Sequence, residues 1–231
     1  MRDSIVYYLI ILPAFFLQFI AVILFYILFP GTILGNSIYI IMKLFYIGLP
    51  LLALTMKIIT PDNFFIQPGK KEFKEQLFWG IGTGLFLLIS MIAIFYLFKP
   101  FFMTFKPLIK EKVKLYHLTE FYIPFAFFIC FFHSLLEEVY YRWFLFRGLM
   151  KKYTWQWAGL LSSISFALHH YLLLAAYFPL SLIFLFGTAA GIGGYFWCWL
   201  LYKKKAIFGP WLSHLGADAG IMIIGYVLLF H

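Results

Sequence analysis

The sequence predicts an all-α membrane protein, a polytopic transmembrane helical bundle of about seven to eight spans that forms one integral membrane domain over residues 1–231. Three observations predict it. Hydrophobic residues make up 64% of the chain and charged residues only 12%, far from the averages of soluble domains. Several apolar runs reach the roughly 18–25 residues that a helix needs to cross about 30 Å of hydrocarbon. No run shows the period-two alternation of an outer-membrane strand, and the connections are too short to fold as soluble domains.

In order, the apolar runs place spans near 5–28, 37–59, 77–98, 120–146, 155–176, 179–202 and 207–230. The first run is longer than a signal-peptide core and no small-residue cleavage site follows it, so it is expected to persist as a span. Pro13 and Pro124 fall inside spans, where they can kink a helix without ending it. "GTAAGIGG", residues 187–194, sets small residues four apart, which lets a neighbouring helix approach closely. Between the third and fourth spans, residues 99–120 mix five lysines with Phe, Leu, Ile and Val. That pattern suits either a helix lying in the membrane interface or a solvated connection, and the tally becomes eight spans if the segment crosses.

A formal charge of +9 would suggest nucleic acid for a soluble domain, but these lysines lie between apolar runs and read as membrane-surface anchors. The expected partners are membrane lipids, with no nucleic acid. Arg147, Lys151, Lys152 and Lys203 to Lys205 mark two loops as cytoplasmic, whereas single crossings put the lysines of 99–120 on the opposite side, in conflict with the positive-inside rule. Cys130 and Cys198 lie inside apolar runs and read as packing residues.

Of nine acidic residues, Asp3, Asp62, Glu72, Glu75, Glu111 and Glu120 sit in or beside loops. Glu137, Glu138 and Asp218 lie within spans, where an ionised group costs about 2.5–3.5 kcal/mol even on lenient insertion scales and so needs a partner, a proton or a wet cavity. In "LLEEVYYRWF", Glu138 and Arg142 stand four apart, in the favoured order for an ion pair along one helix face. Glu137 then projects about 100° away and is left for chemistry. A purely structural Glu137 would need a second cation, for which the same helix offers only His133, one turn earlier. Two later spans carry Phe166 with His170, and His214 with Asp218, each pair one turn apart. Glu137, His170, His214 and Asp218 form a candidate shared site, while His117, His133 and His169 read as packing residues.

In order, the motifs read Glu137-Glu138-Val-Tyr-Tyr-Arg142, Phe166-Ala-Leu-His169-His170 and His214-Leu-Gly-Ala-Asp218. They resemble EExxxR, FxxxH and Hxxx(N/D) of the CAAX prenyl protease and bacteriocin-processing (CPBP, or Abi) family of intramembrane glutamate endopeptidases. The resemblance covers roughly residues 120–230. It implies a catalytic helical core over 120–231 and variable spans plus the interfacial segment over 1–119. It also implies hydrolysis of a peptide bond in a membrane-associated or lipidated substrate, with or without a prenyl group, by an activated water. Glu137 with His170 would activate the water; His214 and Asp218 would stabilise the oxyanion; Glu138, Arg142 and Phe166 would support them. An ionised Asp218 has only acceptors to offer, so it is either protonated or orients His214 as the donor.

A zinc-dependent version would use the same Glu, His and Asp as ligands around an open position. The chain has no HExxH motif and a Glu-His pair can activate water unaided, so the expectation is a metal-free site with no cofactor. A non-catalytic scaffold or regulator of the same family, and a proton-coupled transporter, are the competing classes; the transporter should show internal repeats, and none is visible. Short loops and small size fit a multi-pass protein of a prokaryotic plasma membrane.

Overall fold

Length and hydropathy carry through to structure: in a computed structural model, which describes residues 2–61 and 70–231, seven helices are long and apolar enough to cross a membrane. Asp62 lies outside the described residues. Helix α1 (Arg2–Val22) runs on through a π-helical stretch, Ile23–Leu28. It is followed by α2 (Ile33–Thr55) and α3 (Lys70–Leu97). Two short helices come next, α4 (Lys99–Met103) and α5 (Lys106–Leu115). The remaining spans are α6 (Tyr122–Leu149), α7 (Trp155–Ala175), α8 (Leu180–Lys204) and α9 (Phe208–Phe230).

Each boundary falls within four residues of its expected place, except that α3 starts seven residues earlier than the expected 77, and local features explain several of them. The Thr32 hydroxyl caps α2 by accepting from the Gly35 N–H at 3.1 Å. Pro124 sits third in α6, where the backbone N–H has no partner in the helix anyway, so it does not break the span. Helix α8 ends with Lys203 and Lys204 in its last turn, where cations favour the exposed carbonyls, and Lys205 stops it in a left-handed conformation. Large apolar side chains such as Ile33, Phe78, Phe86 and Leu97 are exposed, as suits helices that face lipid.

The lysine-rich segment 99–120 does not cross. Its longest helix, α5, has 10 residues and therefore measures about 15 Å, half of what the hydrocarbon demands. The tally is seven spans among the described residues.

The described residues group into two compact units, one of residues 1–66 and 136–207, the other of 67–135 and 208–231. The division falls inside α6, between Leu135 and Leu136. In the first unit, α7 packs on α8, α1 and the second half of α6, and α2 packs on α1 and that same half of α6. Here the small-residue stretch of α8 does what its spacing implies: Gly187 lies against the Tyr171 ring and Gly191 against Ala167. The Tyr140 hydroxyl donates to the Ala14 carbonyl at 2.7 Å, and the Arg147 guanidinium donates to the Thr60 carbonyl at 2.9 Å, which brings the ends of α2 and α6 together.

In the second unit α3 packs along α9 through glycines on both. A Cβ added at Gly216 would collide with the Gly84 carbonyl. The same seam carries polar bonds, with Thr83 Oγ1 donating to Ser213 Oγ at 2.8 Å and the Gly209 N–H donating to Gln76 Oε1 at 2.8 Å. Where helices touch backbone to backbone, added volume must displace a whole helix. The expected result is that Gly216→Val destabilises the protein by about 1–3 kcal/mol, measured as a lower thermal midpoint in detergent, whereas Gly82→Val, at an open position on α3, leaves the midpoint unchanged.

Candidate active site

The backbone of α6 changes type at the paired glutamates. Ser134–Glu137 is α-helical and Glu138–Phe146 is π-helical, so the hydrogen-bond register widens from i→i+4 to i→i+5 immediately after Glu137. Such π-helical insertions concentrate at functional sites because they aim neighbouring side chains in directions a regular helix does not offer. Glu137 and Glu138 are both buried.

Glu138 faces its own helix. Its Oε1 lies 3.4 Å from Arg142 Nη1, the ion pair expected from their spacing. The Arg142 guanidinium is wholly buried in an aromatic cage, 4.1 Å from the Phe166 ring centroid, 4.9 Å from Trp197 and 5.6 Å from Tyr141. Its nitrogens make no hydrogen bond of good geometry among the described residues, so the ion pair and the three ring faces hold the charge. Gly194 on α8 makes room for the cage, since a Cβ there would stand 3.0 Å from Arg142 Nη2 and 3.2 Å from Phe166 Cδ1. Phe166 thereby touches Arg142 with one side of its ring and packs on His170 at a centroid separation of 4.4 Å.

Glu137 faces other helices. The Tyr46 hydroxyl of α2 donates to its Oε1 at 3.4 Å, and His169 Nε2 of α7 lies 3.5 Å from the same oxygen. His169 is held from behind, with Nδ1 3.0 Å from the Tyr141 hydroxyl; the Tyr141 carbonyl in turn accepts from the Ser162 hydroxyl at 2.7 Å. With the Tyr141 hydroxyl donating to Nδ1, the His169 proton sits on Nε2 and points at Glu137. The His170 ring lies beside that of His169, 4.1 Å between centroids, and its Nδ1 donates to the Phe166 carbonyl at 2.8 Å. That bond leaves the His170 lone pair on Nε2. One donor atom from each of Glu137, His169 and His170 lies within 4.8 Å of the other two, close enough for a shared proton, a shared water or a metal ion.

His214 and Asp218 belong to the second unit, on α9. His214 is buried, and its Nε2 lies 3.7 Å from Asp218 Oδ1, one turn on. Each candidate residue thus has a defined neighbour: Glu137 with His169, Tyr46 and His170 in one unit, His214 with Asp218 in the other. His169, expected as a packing residue, is instead the histidine that contacts Glu137. Tyr46 and Tyr141 carry no signal in a sequence with 16 tyrosines; only the tertiary contact picks them out.

The chain is thus a seven-span helical membrane protein with a buried carboxylate and two histidines brought together inside one unit. Comparison with protein families narrows the class. Residues 119–220 match the family model described as type II CAAX prenyl endopeptidase, Rce1-like, so this segment is similar to that family. The matched segment takes in all three motifs, from Glu137 to Asp218. The family is one of membrane proteases, whose setting is lipid and whose substrates are peptides or proteins. No curated protein and no solved structure matches the chain.

Removing one partner of a buried pair leaves the other charge stranded. Arg142→Met is therefore expected to destabilise the protein by about 3–5 kcal/mol, while adding Glu138→Gln recovers a large part of the loss. Thermal unfolding of the two variants side by side measures this.

Proposed function

We propose that the protein is an intramembrane endopeptidase that hydrolyses a peptide bond of a membrane-associated or lipidated substrate with a water activated by Glu137 and His170. The observation that carries this is the buried Glu137 carboxylate, gripped at one oxygen by Tyr46 and His169 with His170 beside it. A base must be held still and must reach its proton. Tyr46 and His169 do the first by holding Oε1, and His170 stands beside the carboxylate where the water is to be activated.

In the proposed step, water sits between Glu137 and His170 Nε2. Glu137 takes a proton as the water oxygen bonds to the scissile carbonyl carbon, and the carbonyl electrons move onto oxygen. The resulting oxyanion is stabilised by a donor from His214. Glu137 then returns its proton to the leaving nitrogen as the C–N bond breaks, giving a new carboxylic acid and a new amine, and the acid passes its remaining proton to the amine. The order of the three motifs, on α6, α7 and α9, supports giving His214 and Asp218 the oxyanion role. The facing of His214 Nε2 and Asp218 Oδ1, 3.7 Å apart, supports an orienting role for Asp218, which fixes the His214 ring as the donor to the oxyanion. Asp218→Asn is then expected to lower kcat by about tenfold or more, measured on a model substrate in proteoliposomes; retention of most activity would assign the position a direct donor role instead.

No metal is needed in this scheme. The spacing of Glu137, His169 and His170 also supports a second reading, in which they hold zinc through one carboxylate oxygen and two Nε2 atoms, with Nδ1 of each histidine fixed by Tyr141 or Phe166. Exhaustive chelation separates the two. Full activity after chelation, with no stoichiometric metal in the purified protein, is expected; loss of activity that zinc restores would favour the second.

We place Arg147, Lys151, Lys152 and Lys203 to Lys205 on the cytoplasmic side of a prokaryotic plasma membrane. The peptidase reading itself is tested in cells. Comparing the C termini of membrane proteins with wild type and with Glu137→Ala is expected to reveal shortened C termini only with wild type; identical termini at equal expression would favour the scaffold.

A further inference from the structure

The apolar run of α2 is interrupted by one cation. Lys43 is the eleventh of 23 residues in α2, at the centre of a span. The other cations within the described spans, Arg142 apart, lie within about a turn of a helix end: Lys74, Arg147, Lys203 and Lys204. An ammonium at that depth costs about 2.5–3.5 kcal/mol on insertion scales, so it calls for an anion. Lys43 stands one turn before Tyr46, with Nζ 4.8 Å from the Tyr46 ring centroid and 4.7 Å from that of Tyr39. Tyr46 is buried, and its hydroxyl donates to Glu137. One tyrosine therefore carries a cation on its face and an anion at its hydroxyl. The Lys43 and Glu137 charges also interact through space.

Charge accounting points the same way. The first unit buries two adjacent carboxylates, and Arg142 is engaged by Glu138 inside its aromatic cage. Lys43 is the remaining mid-span cation on the described helices of that unit, and it brings the four groups to electroneutrality.

We propose that Lys43 is the counter-ion of Glu137 and thereby a positioning residue of the proposed peptidase. It holds the carboxylate turned towards α2 through Tyr46, without touching the reacting atoms. The kinetic half of the proposal rests on Glu137 as the water-activating base; the pairing itself does not.

The test uses the purified full chain in detergent and proteoliposomes, with Lys43→Met, Lys43→Arg, Glu137→Gln and the double variant Lys43→Met/Glu137→Gln. Unfolding reads the pairing. Lys43→Met is expected to lower the thermal midpoint by about 4 °C or more, and the same change made on Glu137→Gln to cost less than half as much. Equal costs in the two backgrounds would overturn the pairing. If Lys43→Met alone does not fold, its recovery in the Glu137→Gln background supports the pairing, and failure in both overturns it. Kinetics read the positioning role. Lys43→Met is expected to lose on the order of tenfold in kcat with KM little changed, and Lys43→Arg to keep most of the activity. A rise in KM with kcat unchanged would overturn it in favour of a substrate-binding lysine. Coupling in the unfolding data together with no cleavage by wild type would support the counter-ion while contradicting the peptidase.

Discussion

The cost of an ionised group in hydrocarbon governs this molecule. Most of its surface is apolar and interchangeable, and any packed bundle of seven spans would satisfy it. The mid-membrane carboxylates would not be tolerated in any such bundle. Glu138 is met by Arg142 one turn away, and Arg142 needs three aromatic faces and a glycine on α8 to fit. Glu137 requires donors from α2 and α7. The arrangement of α2, α7, α8 and the second half of α6 follows from bringing those groups together.

The two glutamates show how one local sequence yields two functions. Glu138 is satisfied within its own helix and its cage, so it contributes to holding helices. Glu137 is held at one carboxylate oxygen by long-range partners, Tyr46 of α2 and His169 of α7, so it joins helices that lie far apart in sequence. The change from α- to π-helix falls between them. A regular helix fixes neighbouring side chains about 100° apart; the widened register provides another setting at the position where the two carboxylates must part company.

Much of this was legible in sequence, and the illegible part has a physical cause. Spans are set by length and hydropathy, which are local sums, so all seven were placed. The Glu138–Arg142 pair is an i,i+4 contact, also local. The change of helix type was not legible, because the apolar periodicity that would reveal it is absent in a helix greasy on most sides. His169 reads as packing because Phe166 and His170 share a helix face one turn apart and His169 points elsewhere, and nothing in the local pattern shows that both histidine rings lie beside Glu137. Tyr46 lies 91 residues from Glu137 and looks like any interfacial tyrosine. Lys43 does leave a signal, a single cation at the centre of an apolar run.

The central claim is that Glu137 is the group that removes a proton from water. It is tested most directly by cleavage of a model membrane peptide by purified wild type and Glu137→Gln in proteoliposomes. Glutamine preserves shape and cannot act as the base, so the variant should fold, with a rate lowered by about 10²- to 10⁴-fold. A folded Glu137→Gln protein that cleaves within a few-fold of wild type would contradict the account.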